Sequence, residues 1–130
     1  MNLKLFFIVT ILSATLISCA VPPNKLPGTY KFSSDCGEQV LTLRPDHTFE
    51  QRIQYKDGEM LSNEGKWEYP KADASGNDSL LLHDALYVTD VPCPPVKPVR
   101  LMWFTYPQQR FGKITIEVDD DRELKFYKYG

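Results

Sequence analysis

The chain opens on an unbroken apolar run and then changes to a two-residue period. Leu5 to Ile17 is almost wholly apolar and follows the single positive charge of Lys4. From Gly28 onward, hydrophobic residues recur at every second position, the spacing of strands with one buried face. Tyr30 and Phe32 alternate with polar neighbours and predict a first strand. Ser33 to Glu38 reads as a loop. Val40 to Arg44 places Leu41 and Leu43 on one face. Phe49 to Lys56 places Phe49, Ile53 and Tyr55 on one face, interrupted by Gln51, with Glu50, Arg52 and Gln54 opposite. Met60 to Tyr69 follows, with Trp67 and Tyr69 on one side and Gly65 marking a bulge or bend. Leu80-Leu81-Leu82 suits a buried strand, and its continuation to Thr89 fits a strand or a short helical turn equally. Val99 to Tyr106 is a further strand, broken at Pro107. Lys113 to Asp119 alternates with Ile114, Ile116 and Val118 inward, and Glu123 to Tyr129 closes the chain.

Turn chemistry separates these runs. Pro45-Asp46-His47-Thr48 has proline and aspartate where a turn wants them, and Asp57-Gly58 is a strong hairpin signal. Asp120-Asp121 makes another turn, and Pro70 to Ser79 is a polar loop. Asp90 to Pro98 carries Pro92, Pro94, Pro95 and Pro98 around Cys93. It is excluded from a central strand because proline has no ladder donor. The result is a mainly β domain of about eight short strands, with no amphipathic helix and no repeat. Short connections favour antiparallel pairing, in a small up-and-down barrel or a strongly curved sheet.

The first run has the form of a secretory signal, a basic start and a short apolar stretch. At thirteen residues it is short of the roughly 20 that cross a bilayer. Leu16-Ile17-Ser18-Cys19 resembles the lipobox of bacterial lipoproteins: an aliphatic residue, a tolerated one, a small one, then cysteine. The resemblance implies a diacylglycerol on the Cys19 sulfur, cleavage before Cys19 and acylation of the new amine, hence a membrane anchor. Two or more acyl chains hold such an anchor firmly. An ordinary cleaved signal with an unrelated cysteine is the alternative. Ala20, in place of aspartate, is similar to the enterobacterial sorting pattern for the outer membrane and implies a periplasm-facing domain. The chain then divides into a signal peptide (1–18), a lipidated tether (19–27) and one β domain (28–130). Pro22, Pro23 and Pro27 make the tether a semi-rigid spacer, a stand-off of about 20–25 Å at roughly 3.1 Å per residue.

The formal charge of −2 is spread along the chain, with no basic stripe, and argues against a nucleic-acid partner. With Cys19 committed to lipid, Cys36 and Cys93 remain. In an oxidising compartment such a pair is expected to form a disulfide, worth about 4 kcal/mol on the entropic account. Two free thiols are the alternative.

A second resemblance lies within the domain. Gly28-Thr29-Tyr30, then Leu41 to Phe49 around the Pro45-Asp46 turn, then Gly65-Lys66-Trp67-Glu68-Tyr69 resemble small lipocalin-like bacterial lipoproteins. The likeness implies a small barrel open on one side. His47 stands where those chains usually have glycine, and no binding residue carries over.

Catalytic motifs are missing from the sequence: no Gly-rich phosphate loop, no Gly-x-Ser-x-Gly elbow and no Cys-x-x-Cys pair. His47 reads as a solvated turn residue. His83 and Asp84 are adjacent on a strand, so they point to opposite faces and do not orient one another. Asp119-Asp120-Asp121 reads as a solvated hairpin turn rather than a calcium site. No cofactor, metal or catalytic residue is assigned, and the chain is read as non-catalytic. Met102, Trp103, Phe104 and Tyr106 put apolar side chains on both faces of one strand. Such a strand is either buried on both sides or an exposed patch for a partner. Two functions follow. One is an envelope protein-interaction module, or a shallow binding module, using an edge strand or the proline-rich loop. The other is a lipocalin-like carrier of a small apolar ligand, with Trp67, Tyr69, Trp103 and Phe104 at its mouth. A chain of this size leaves little room for a large cavity, which favours the first.

Overall fold

The period-two runs become strands in a computed structural model that describes residues 19–70, 79–87, 99–119 and 124–129. The fold is mainly β, one antiparallel sheet curled into a half-barrel. Ten strands make it: β1 (Cys19–Ala20), β2 (Gly28–Ser34), β3 (Gly37–Leu43), β4 (Thr48–Tyr55), β5 (Met60–Glu68), β6 (Leu80–Tyr87), β7 (Val99–Thr105), β8 (Gln108–Arg110), β9 (Lys113–Asp119) and β10 (Leu124–Tyr129). The two beyond the expected eight are the shortest, β1 and β8, which are too brief to show an alternation. No α-helix occurs among the described residues; Pro23–Lys25 form a single 3-10 turn.

The order of neighbours is β1-β8-β9-β10-β2-β3-β4-β5-β6-β7. Strands β2 to β7 are an up-and-down meander, β8 to β10 are a second, and β10 joins them by pairing with β2. This order forces the curl. β7 ends the sheet on one side and β8 is next to last on the other, yet only Tyr106 and Pro107 separate them in sequence. Two residues span roughly 7 Å at most, so the far sides of the sheet must meet. The Thr105 hydroxyl donates to the Glu117 carbonyl at 3.0 Å and fastens the end of β7 to β9, the partner of β8. Pro107, buried at this corner, has no N–H to give to a ladder. The lipocalin likeness extends to this up-and-down order and no further.

Antiparallel alternation gives the half-barrel two ends. At the near end lie Gly28, the Arg44–His47 turn, the Phe111–Gly112 turn and Tyr129. At the far end lie the Asp35–Cys36 turn, the Asp57–Gly58 turn, the end of β6 and the start of β7. Of Ser33 to Glu38, expected to be a loop, only Asp35 and Cys36 form the turn; the residues on either side are strand. The doubtful stretch after Leu80 is strand through Tyr87, with an irregularity between Leu82 and Ala85 and Asp84 at φ 56°.

The inner face is filled by the residues the alternation selects. Tyr30, Leu41, Leu43, Phe49, Leu80, Leu82 and Ile116 are all fully or almost fully buried. Burying side chains of this size contributes about 1.5–3 kcal/mol each. Two fully buried members come from outside the expected domain: Val21 and Leu26. The stand-off expected of residues 20–27 therefore does not form. Apolar Val21 and Leu26 gain more from the core than proline-rich chain gains from extension. Backbone groups of the same segment are also used: Tyr69 donates its hydroxyl to Val21 O at 2.8 Å, and Tyr30 donates to Leu26 O. Lys128 Nζ reaches Lys25 O at 2.6 Å.

Gln51, which seemed to interrupt the inner face, belongs to it and is satisfied there. β5 pairs with β6 only at Trp67–Leu82 and Glu68–Leu81. Below that the two strands diverge, and polar side chains fill the gap. Gln51 donates to Leu86 O at 3.0 Å and accepts from Leu86 N at 2.8 Å and from Asn63 at 3.0 Å. Asn63 also donates to Asp84 O at 2.7 Å. Gly65 does not bulge; its pairing with Phe49 is regular. A Cβ there would lie 2.4 Å from His83 O and 2.6 Å from the Phe49 ring, so glycine lets the irregular part of β6 approach.

Candidate interaction surface

The four aromatic residues expected to line one site do not meet. Trp67 is buried, and its indole N–H donates to Arg44 O at 3.0 Å. Its ring carries His47, stacked at 4.3 Å between centroids. His47 stands at φ 69°, which explains why glycine serves at such a turn position. Tyr69 is half-buried against the core, its hydroxyl on Val21 O. Trp103 faces inward and packs on Phe126 at 6.1 Å, which in turn meets Phe32 at 5.6 Å. Phe104 alone faces outward, 57% exposed, with Tyr106 beside it at 5.8 Å. The correction has a simple cause. Trp103 and Phe104 are consecutive on a strand, so their side chains leave by opposite faces.

That separation defines a different surface. Among the described residues β7 stands last in the hydrogen-bonded order and pairs with β6 alone. Its apolar side chains are exposed on both faces: Met102 (60%) and Phe104 outward, Val99 (67%) and Leu101 toward the other. A row of this kind on a strand at the end of a sheet presents the apolar area that an added strand or a packed partner uses. The sequence pointed to Met102, Phe104 and Tyr106 by placing apolar residues on both faces of one strand. Val99 and Leu101 complete the surface and carried no separate signal.

Among the described residues no buried side-chain nitrogen or oxygen lacks a hydrogen-bond partner. Glu50 on the outer face of β4 pairs with Arg44 at 2.7 Å and with Arg52. Glu50 and Arg52 border a polar groove of about 460 Å³ lined also by Ser62, Asn63, Glu64 and Arg100. His83 faces Glu68 at 3.3 Å rather than Asp84. Hydrogen bonds from the Thr48 hydroxyl and amide hold the Asp46 carboxyl below its ordinary value. No group of His, Cys, Asp and Glu among the described residues has the geometry to hold a metal. The acidic cluster from Asp120 lies outside the described residues.

The cysteines occupy different ends. Cys36 is buried in its turn at the far end, where its carbonyl accepts from Lys56 N at 3.1 Å. Cys93 lies outside the described residues, as do residues 1–18, which hold the whole expected signal peptide and all of the lipobox but Cys19. Cys19 begins β1, opposite Gln109 of β8 at the near end. Searches for relatives return nothing: no protein family, no curated protein and no solved structure matches the chain.

Proposed function

We propose that this chain is a lipid-anchored protein of the bacterial cell envelope, non-catalytic, whose task is to hold a protein partner at the β7 edge. The observation that carries the reading is the exposed apolar row Val99, Met102 and Phe104 on the strand that ends the sheet. The lipobox-like Leu16-Ile17-Ser18-Cys19 supplies the anchor at Cys19, and Ala20 assigns the outer membrane, facing the periplasm. Cys36 and Cys93 form the disulfide. Its support is the topology, since β6 ends and β7 begins at the far end, where Cys36 sits, and Cys93 lies between them in sequence. The alternative, a carrier of a small apolar ligand, is disfavoured because Trp67, Tyr69 and Trp103 are packed against the core and Phe104 faces outward.

Two experiments test the reading. Labelled palmitate should enter the wild-type chain and not Cys19→Ala; label retained by the variant removes the anchor. A photo-crosslinking residue at Phe104 or Met102 should capture an envelope protein in cells, while the same residue at exposed Gln54, on β4, should not. Equal capture at both places, or none at either, rejects the β7 surface.

A further inference from the structure

We propose that the two-residue turn between β8 and β9 is a second membrane contact, with Phe111 seated in the interface of an anionic phospholipid bilayer beside the lipid on Cys19. The inference rests on the lipid-anchor reading. Arg110 pairs with Lys113, so Phe111 and Gly112 alone make the turn, at φ 51° and φ 76°. Positive φ at both positions is the hairpin turn that favours Asn-Gly, Asp-Gly or Gly-Gly. Phenylalanine is a poor choice there. Its ring gains nothing from the fold in return, being fully exposed at 102%. A rigid hairpin that presents one bare aromatic ring, with an exposed cation on either side, has the makings of an interfacial anchor. The ring enters the headgroup boundary, and Arg110 and Lys113 meet the phosphates.

Position supports the same occupant. Cys19 lies opposite Gln109, and Arg110 and Phe111 are the next two residues toward the turn. Paired strands are about 5 Å apart and a strand rises about 3.3 Å per residue, so Phe111 stands within about 10 Å of the Cys19 backbone. No slack separates an acyl chain on Cys19 from the barrel, because Val21 is already in the core. A bilayer holding that lipid would have the turn at its surface. The near end also presents Tyr129 and Tyr127, both more than half exposed, with Lys31 over the Tyr129 ring at 4.2 Å. Tyrosine is enriched at that depth of a membrane.

The test uses the mature protein purified from envelopes and placed in vesicles of phosphatidylethanolamine and phosphatidylglycerol. Intact mass reads the acyl groups on Cys19. Phe111→Trp adds one indole to those of Trp67 and Trp103, and no neighbour constrains it. Its added emission should be mostly quenched by lipid brominated close to the headgroup. The quenching should weaken in vesicles of neutral lipid alone and in an Arg110→Gln, Lys113→Gln background. Acylated protein whose added emission stays unquenched overturns this inference and leaves the anchor standing; that result would return the turn to solvent or to a protein partner. Protein without acyl mass overturns the anchor and this inference together. Equal quenching on neutral lipid overturns the part given to Arg110 and Lys113.

Discussion

Leu26→Ala is the most direct measure of where the domain begins. Leu26 is fully buried, and its carbonyl holds the Tyr30 hydroxyl. Removing a buried leucine side chain to the β-carbon costs the lost transfer energy and the cavity left behind, about 2–5 kcal/mol in well-packed cores. Leu26 lies on a surface-crossing segment that relaxes in part, so about 3 kcal/mol is expected. Against a urea slope of roughly 1–2 kcal/mol per molar for a chain of this size, the midpoint falls by about 2 M. Buried Trp67 reports the transition by fluorescence. Asn24→Ala, exposed in the same 3-10 turn, is the control and should stay within about 0.5 kcal/mol of wild type. Equal midpoints for Leu26→Ala and Asn24→Ala would refute the reasoning and restore residues 20–27 to a spacer.

Three further outcomes follow from the core. Gly65→Ala should destabilise by about 1–3 kcal/mol, because its Cβ would meet the His83 carbonyl, which cannot move aside without its strand; urea midpoints read it. Gln51→Met should cost about 3 kcal/mol by leaving the Leu86 amide and carbonyl and the Asn63 amide short of partners, and Asn63→Ala should cost less in that background than alone. Burial, with the Tyr69 phenol adding to it, pushes the Tyr30 hydroxyl above its ordinary value. A raised acid stays protonated in the folded state, so its contribution is intact below the unfolded tyrosine value of about 10 and is lost as pH rises past it. Tyr30→Phe should therefore lower stability at neutral pH and flatten the alkaline loss, seen as a smaller fall in urea midpoint between about pH 8 and about pH 11.

Most of the barrel was legible because a half-buried strand writes its two faces into alternate residues. Tyr30 and Phe32, Leu41 and Leu43, and Ile114, Ile116 and Val118 all face the core as their spacing dictates. The parts that were not legible lack such a pattern. Val21 and Leu26 are two apolar residues among prolines, and nothing local distinguishes a spacer from a segment that plugs a core. Gln51 broke its run because the gap between β5 and β6 is a tertiary feature, created where the Leu82–Ala85 irregularity parts the strands. Asn63, Gly65 and Trp67 share a face by even spacing, so the polar member could have been placed, but its partner Asp84 O could not. The four aromatics expected at one mouth sit apart because Trp103 and Phe104, consecutive on a strand, leave by opposite faces, and which face is inside is a tertiary matter. The surface of β7 emerged only once the sheet order made it an edge.

The buried lead segment changes what a lipid on Cys19 would do. A chain of free residues lets a domain tumble above its anchor, so that any face meets a partner. Here Val21 is fixed in the core and β1 is paired to β8, which leaves the barrel no hinge after Cys19. An acyl chain on that residue would set the near end toward the bilayer and the far end, with Cys36, away from it. β7 runs from the far end to the near end, so its exposed row would stand along the barrel wall, across the membrane plane rather than in it. A partner reaching that row would come from the side, and a strand added to the edge would run along the membrane normal. With a lipid on Cys19, the anchor would orient the exposed β7 row.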